Sequence, residues 1–339
     1  MRVFFHIGAG KTGTSSVQGT LLKSDAILQN QGVKYLGLML EHAPVKLFDW
    51  QKASATKEFL ALDEKEAEIQ VEKVLGESIK LLENSGIHTL VWSNEWFFGR
   101  HSGVLNPMKR LEKAGHDVRV IGYVRRHDAW AKSAYSQWGV KHKTYKGNII
   151  PFREYIKRRP VAFAGAFLPW ANFFGDKFLL RNFDYVGDVV DDFIDVLGVD
   201  KELVNVDRVN ETPGPEEFAM RAIFNDKRPG DVMPHNFERL FQAVNINFKR
   251  NPSEWINELL PSKEDLKEVV EATRDDQDKI NNLLLERGQP VLSFEDKEVK
   301  PFSINADVAI SALFQIIERQ AVRINKLQRD IDDLRSSVR

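Results

Sequence analysis

The sequence contains no cysteine, which excludes disulfides, thiolate metal sites and cysteine nucleophiles. It also lacks an apolar run of about 20 residues, the length that spans a bilayer, so no integral membrane segment is expected. No charged and then apolar leader precedes the first predicted strand, and we therefore expect a cytoplasmic location. The 48 Lys and Arg balance 49 Asp and Glu, which gives a net charge of −1 and no expectation of a nucleic-acid partner.

Four short apolar runs alternate with helical patterns within residues 2–183. The runs are RVFFHI (2–7), HTLVWS (88–93), VRVIGYV (118–124) and KFLLRNF (177–183). This alternation predicts an α/β fold with a central parallel sheet of the P-loop type, flanked by helices. Ligands bind such sheets at the carboxyl ends of the strands, where loops lead into helices.

The last third of the chain is predicted to be helical. Residues 215–300 are mostly helical in pattern and include a helix capped by Ser262, so we expect one α/β domain over 1–300. In residues 306–339 large apolar side chains repeat every seven positions. One set is Ile310, Ile317, Ile324, Ile331 and Val338, and the interleaved set is Leu313, Gln320, Leu327 and Leu334.

This heptad has β-branched residues at its a positions and mostly leucine at its d positions, a combination that favours a two-stranded parallel coiled coil. Residues 306–339 are therefore expected to form a coiled-coil-like helix that makes a homodimer. The alternative is an amphipathic helix that packs on its own domain.

The segment HIGAGKTGTSS (6–16) directly follows the first predicted strand. Glycines in such a turn let backbone N–H groups approach a phosphate closely, and a lysine adds a full positive charge. We interpret the segment as a phosphate-binding loop. Its predicted binding residues are Gly10, Lys11, Thr12, Gly13, Thr14, Ser15 and Ser16. The nucleotide-triphosphate pattern G-x-x-x-x-G-K-[ST] is incomplete, because Phe5 stands where the first glycine belongs.

A second group follows the third of these strands, in VIGYVRRHDAWAKSAYSQW (120–138). Arg125 lies at the strand end, and Ser133 lies eight residues further on, in a predicted helix. Arginine offers a bidentate fork to phosphate oxygens and serine adds a hydroxyl donor, so the pair could hold one anionic group. Arginines at strand ends also pair with local carboxylates, which is the alternative interpretation.

Together these two motifs resemble those of the sulfotransferase superfamily, whose members use 3′-phosphoadenosine-5′-phosphosulfate (PAPS) as donor. The opening HIGAGKTGTSSVQ is most similar to bacterial members, and NEWFF and YVGDVVDDFIDVLGV followed by RVNET are similar too. The resemblance implies that Lys11 to Ser16 bind the 5′-phosphosulfate and that Arg125 and Ser133 bind the 3′-phosphate. The product would be 3′-phosphoadenosine-5′-phosphate (PAP), and no metal is required. The sequence departs from many members at Gly10 and His127, where they have proline.

Sulfuryl transfer places negative charge on the leaving phosphate oxygen, which Lys11 is expected to stabilise. The acceptor hydroxyl also needs a base. We rank Glu95 first, since it follows a strand end, and His42 second, with Glu41 beside it as a third option. A structural helix-cap role for Glu95 and a purely structural His42 are the alternatives. Ser93 and Asn94 are predicted to orient the acceptor.

Residues 119–159, the basic flank, contain 11 Lys and Arg against 2 acids, together with several aromatic residues. Aromatic faces stack on sugar rings and cations bind anionic chains, so we expect a carbohydrate acceptor, a polysaccharide or its precursor. The alternative is that the aromatics are core and the charges are solvated.

Two other functions compete with sulfuryl transfer. The first is a P-loop kinase or nucleotide-binding protein that uses ATP and magnesium, for which Thr12 would supply the metal-bound hydroxyl. The second is a non-catalytic coiled-coil adaptor that retains a donor-binding fold. An intact lysine loop together with Arg125 and Ser133 argues against the adaptor.

Overall fold

A computed structural model describes residues 1–207, 215–226, 228–238, 252–293, 302–303 and 305–337. Within these residues five strands form one sheet in which every pairing between strands is parallel, in the order β2-β3-β1-β4-β5. The strands are β1 (Arg2–His6), β2 (Val33–Tyr35), β3 (Thr89–Ser93), β4 (Asp117–Val124) and β5 (Phe178–Asn182). The predicted α/β fold class is confirmed.

Fifteen α-helices are assigned within the described residues, with short 3₁₀ turns and a π-helical segment (Tyr135–Lys141) between some of them. Those in the first half are α1 (Thr14–Lys23), α2 (Asp25–Asn30), α3 (Thr56–Leu60), α4 (Glu64–Leu82), α5 (Leu105–Lys113), α6 (His127–Ala134) and α7 (Phe152–Arg158). The others are α8 (Ala164–Phe174), α9 (Val189–Leu197), α10 (Pro215–Asp226), α11 (Pro234–Glu238), α12 (Pro252–Leu259), α13 (Lys263–Ala272), α14 (Arg274–Glu286) and α15 (Ala306–Ser337).

The central strand β1 is apolar on both faces, as expected of a parallel strand covered by helices. Phe4 belongs to a buried cluster with Val17 of α1 and Phe193 of α9. On the opposite face, Phe5 stacks on Trp92 at 4.6 Å and meets Trp170 of α8 edge-on at 5.5 Å.

The helix that follows β1 therefore covers one face of the sheet, and α8, which lies between β4 and β5, covers the other. Where the connections of two neighbouring parallel strands lead to opposite faces of the sheet, a crevice opens at the carboxyl ends of those strands. The crevice between β1 and β4 is bordered by the predicted phosphate loop and by Arg125.

Several predicted helix ends are confirmed. Ser262 accepts a hydrogen bond from the Asp265 backbone N–H at 3.1 Å, and the Asp265 carboxylate accepts one from the Ser262 N–H at 2.8 Å, a reciprocal cap. Gly198 ends α9 with a φ of 72°. The helical stretch after Ser262 is divided into α13 and α14 at Thr273.

The chain forms two compact units. The first comprises Met1–Trp130, Val161–Glu211 and Val269–Glu295 and holds the whole sheet. The second comprises Ala131–Pro160, Thr212–Glu268 and Asp296–Arg339, and the part of it that the structure describes is mostly helical. The predicted domain boundary at residue 300 and the RVNET segment lie outside the described residues.

Candidate active site

The phosphate loop, residues 7–13, connects β1 to α1. Lys11 adopts a φ of 70°, a left-handed conformation that costs a residue with a side chain about 1–3 kcal/mol. Gly13 caps α1 with a φ of 77° and provides no side-chain hydrogen bond. Ser15 and Ser16 lie half-buried in the first turn of α1. The helix start therefore favours an anion.

Gly8 lies where the loop passes closest to the end of β1. A Cβ atom at Gly8 would stand 2.8 Å from His6 Nε2 and 2.8 Å from the Thr14 methyl group. Burial lowers the pKa of His6 to about 3, so the imidazole is neutral. Thr12 is buried and its hydroxyl donates to the Ala9 carbonyl at 2.5 Å. Thr12 therefore helps to shape the loop itself.

Trp130 of α6 also contacts the phosphate loop. Its indole N–H donates to the Gly10 carbonyl at 2.6 Å and fixes the peptide group directly before the strained Lys11. Trp130 is one of the aromatic residues of the basic flank, which were expected to stack on the acceptor. No local pattern could have shown its contact with Gly10, 120 positions away.

A hydrogen-bonded network connects the helix after the phosphate loop to the predicted base. Gln18 of α1 donates to Glu95 Oε2 at 2.8 Å and to Ser93 Oγ at 3.3 Å. Ser93 Oγ also bonds His6 Nδ1 at 2.8 Å. The carboxylate of Glu95 is thus oriented by the helix that starts at the loop, although Gln18 was not predicted as a site residue.

Asn94, directly after β3, links this strand by hydrogen bonds to the loop that follows β2. Its amide donates to the Leu38 carbonyl at 2.7 Å, and its Oδ1 accepts from the Trp96 N–H at 2.9 Å. Asn94 and Ser93 are both buried and engaged within the protein. They hold Glu95 and the neighbouring loop in place, and their expected role in orienting the acceptor stays a prediction.

The other two candidate bases lie on this neighbouring loop. Glu41 accepts backbone hydrogen bonds from Leu38 at 3.0 Å and Met39 at 2.6 Å, so its carboxylate closes the loop. His42 is partly exposed, and its Nε2 lies 3.9 Å from Glu41 Oε1. Burial, and then the carboxylates of Glu41 and Glu95, raise the pKa of Tyr35 above its ordinary value. The His42 ring lies 6.0 Å from the Tyr35 ring, so all three candidates lie near one buried tyrosine.

Arg125 follows β4 directly and is paired within the protein. Its Nε lies 3.4 Å from Asp184 Oδ1, and its guanidinium lies 5.2 Å from the centre of the Phe183 ring. Local pairing with a carboxylate was the alternative interpretation of this residue. Ser133 is half-buried on α6, and the joint role of Arg125 and Ser133 stays a prediction.

Much of the positive charge of the basic flank is neutralised by carboxylates within 4 Å. These ion pairs, besides Arg125 with Asp184, join Arg119 to Asp117, Arg126 to Asp128, Arg153 to Asp265 and Glu268, and Arg158 to Glu154. Lys143 is buried and donates to the carbonyls of Gly147 and Arg228. The expected attraction of anions by this flank is correspondingly reduced.

The aromatic residues of the flank are partly core, as the alternative interpretation held. Tyr135 and Tyr155 are 0% and 2% exposed and meet each other at 5.3 Å, so neither is placed to stack on a sugar. Trp96, next to Glu95, is 49% exposed and has the Arg100 guanidinium 5.7 Å from its ring centre. Trp96 lies outside the basic flank and offers an exposed aromatic face beside the candidate base.

The structure explains why the nucleotide-triphosphate pattern fails. β1 ends at His6, so the position of the first glycine, occupied by buried Phe5, falls inside the strand and not in the connecting loop. Within the described ranges, no group of three His, Asp or Glu is arranged to hold a metal ion. No helix among the described residues is long and apolar enough to cross a membrane.

No protein-family model matches this chain, and no curated protein matches it significantly. A solved sulfotransferase from Alicyclobacillus acidocaldarius is similar, with 17% identity over 66% of this chain and 92% of that chain and a TM-score of 0.37. Retinol dehydratase with androsterone and the inactive cofactor PAP is 16% identical over 81% of each chain, with a TM-score of 0.33. Its complex with retinol and PAP is 15% identical over 81% of this chain and 82% of that chain, with a TM-score of 0.30. Because these TM-scores lie below 0.5, the case for a function depends on the residues of this chain.

Proposed function

We propose that the protein is a sulfotransferase that uses PAPS as donor and a carbohydrate hydroxyl as acceptor. The observation that carries the proposal is the hydrogen bond from Gln18 to Glu95 Oε2 at 2.8 Å. It connects a carboxylate suited to deprotonate a hydroxyl with the helix that begins at a lysine-containing phosphate loop. Binding of an anion and acceptance of a proton are thereby brought to one end of the sheet.

The phosphate loop fits the 5′ end of PAPS in three respects. The start of α1 has no side-chain cap from Gly13, Gly8 lets the loop backbone lie against His6 and Thr14, where a Cβ would collide, and Lys11 supplies a positive charge. Arg125 and Ser133 are the proposed ligands of the 3′-phosphate. The strand order supports this, since Arg125 stands at the carboxyl end of β4, next to β1.

When bound, PAPS supplies the sulfuryl group and a phosphate leaving group. Lys11 and the first N–H groups of α1 stabilise the negative charge that develops on the leaving oxygen, an effect that is strongest where the donors are already positioned. Glu95 takes the proton of the acceptor hydroxyl at Oε1, while Gln18 holds Oε2. Neutral His6 supports Ser93, which in turn contacts Gln18.

A carbohydrate acceptor is supported by Trp96 and Arg100 beside Glu95. An exposed indole provides a face for a sugar ring, and a nearby guanidinium suits an acidic group on the chain. The basic flank contributes less to this argument than its composition suggested, since many of its cations are paired. We therefore place the acceptor contact at Trp96.

The donor is tested by calorimetry with PAP and with ATP, each with magnesium and with a chelator. We expect PAP to bind far more tightly than ATP and independently of magnesium. Magnesium-dependent ATP binding would establish the kinase alternative and refute the proposal.

The acceptor is tested by transfer of labelled sulfate from PAPS to a panel of polysaccharides, simple phenols and lipids. We expect labelling of acidic polysaccharides, reduced in Trp96→Ala and retained in Tyr185→Ala, a control at an aromatic that is 69% exposed elsewhere. Labelling confined to phenols or lipids would refute the carbohydrate acceptor and retain the sulfotransferase. PAP binding without transfer to any acceptor would favour the adaptor.

A further inference from the structure

The last described element, α15, is an uninterrupted helix of 32 residues. Asn305 caps its start, since the Asn305 Oδ1 accepts from the backbone N–H groups of Asp307 at 3.0 Å and Val308 at 3.3 Å. At 1.5 Å per residue the helix is about 48 Å long. An apolar stripe along it forms one long surface.

The heptad positions of α15 form such a stripe, and they are exposed. The exposed fractions are 51% for Ile310, 50% for Leu313, 61% for Ile317, 63% for Ile324, 53% for Leu327, 43% for Ile331 and 66% for Leu334. Packing on the protein's own surface, the alternative interpretation of the heptad, would have covered these side chains. A contiguous apolar surface of this length marks an interaction site.

We propose that this stripe binds a second copy of the same chain in a parallel, in-register, two-stranded coiled coil. Isoleucine occupies the four described a positions, and leucine occupies the d positions at 313, 327 and 334. Since β-branched residues at a with leucine at d favour two parallel strands, the stripe complements itself. This inference is independent of the proposed sulfotransferase activity.

The polar residue in the stripe fixes the alignment. Gln320 occupies a d position between layers of isoleucine and leucine. In a parallel, in-register pair the two Gln320 amides share one layer and can hydrogen-bond to each other. In an antiparallel pair that aligns Ile310 with Leu334, each Gln320 would face Ile324, which leaves two buried amides without partners.

The flanking charges favour the same alignment. Asp330 is at a g position and Arg335 at the following e position, so a parallel pair brings Asp330 of one chain towards Arg335 of the other, twice per dimer. In the antiparallel pair Arg323, also at a g position, would face its own copy. Both the polar layer and the charges therefore select the parallel dimer.

Sedimentation equilibrium of the full chain tests the assembly. We expect twice the 38.9 kDa chain mass for the wild type and a single chain mass for Ile324→Asp. The matched control is Val322→Asp, because Val322 is equally exposed, at 66%, but lies off the stripe. It should remain dimeric. A monomeric wild type, or equal dimerisation by both variants, would overturn the proposal. Circular dichroism confirms that the variants are folded.

Disulfide cross-linking tests the orientation, and the absence of native cysteine makes single substitutions unambiguous. Leu313→Cys should cross-link under mild oxidation, since the two copies of position 313 meet in the parallel dimer. In the antiparallel dimer each position 313 faces position 331 of the other chain. The two copies of position 313 are then about 27 Å apart along the helix axis. A disulfide needs Cα atoms within about 7 Å of each other, so no cross-link can form. A dimer in which Leu313→Cys fails to cross-link would overturn the parallel arrangement. Val322→Cys is the unreactive control.

Discussion

Acidification should destabilise the protein through one buried imidazole, that of His6. Burial lowers its pKa to about 3, against an ordinary value of about 6.5 in the unfolded chain. The folded state therefore prefers the neutral ring, and the unfolded state binds the proton first as the pH falls. The associated stability is fully present above pH 6.5 and is lost progressively between about pH 6.5 and 3. The loss relative to neutral pH is about 1.4 kcal/mol at pH 5.5 and about 2.7 kcal/mol at pH 4.5.

The measurement is urea unfolding at pH 7.5, 5.5 and 4.5, followed by the fluorescence of the buried Trp92 and Trp170. His6→Asn keeps a polar group near Ser93 but does not titrate, so its free energy of unfolding should fall less steeply with acidification, by about 1.4 kcal/mol at pH 5.5. His235→Asn, which removes an exposed imidazole, should retain the wild-type slope. Parallel pH dependences for the wild type and His6→Asn would refute the reasoning.

Three further predictions concern the proposed site. Lys11→Ala should reduce turnover strongly, as measured by kinetics. Arg125→Ala should mainly weaken PAP binding, as measured by calorimetry, by about 1.5–3 kcal/mol or roughly 10- to 150-fold in Kd. Equal effects of both changes on turnover alone would contradict these roles. Glu95→Gln should abolish transfer and leave PAP affinity nearly intact; loss of activity in His42→Ala but not in Glu95→Gln would make His42 the base. Trp130→Phe removes the indole N–H that holds the phosphate loop and should weaken PAP binding several-fold with little change in Tm, whereas unchanged affinity would show that the loop holds its conformation alone.

Local features of the fold were predictable because neighbouring residues determine them. Four of the five strands, the phosphate loop, the Ser262 cap and the end of α9 at Gly198 follow from apolar runs, glycines and capping residues within a few positions. The strand β2 was missed because it has only three residues, Val33–Tyr35, and pairs on one side only, with β3. A run of three residues is too short to show the alternation of apolar and polar side chains that indicates a strand.

The long heptad of α15 is also a local pattern, and the sequence was sufficient to predict its helix and its stripe. Exposure of that stripe required the structure, since the same pattern fits a helix packed on its own domain. Burial of Tyr135 and Tyr155 likewise depended on the structure, because an aromatic residue in a basic segment is compatible with both core and surface.

By itself the sequence determined the α/β fold class, the lysine loop at the first strand and the residue types available for the chemistry. The tertiary structure decided which of these residues meet. Gln18 contacts Glu95 across 77 positions, and Trp130 contacts Gly10 across 120. The order of strands in the sheet sets such contacts, and no local pattern records it. Because the partners of Glu95 and Arg125 lie far from them in the chain, at Gln18 and Asp184, they became visible only in the folded protein.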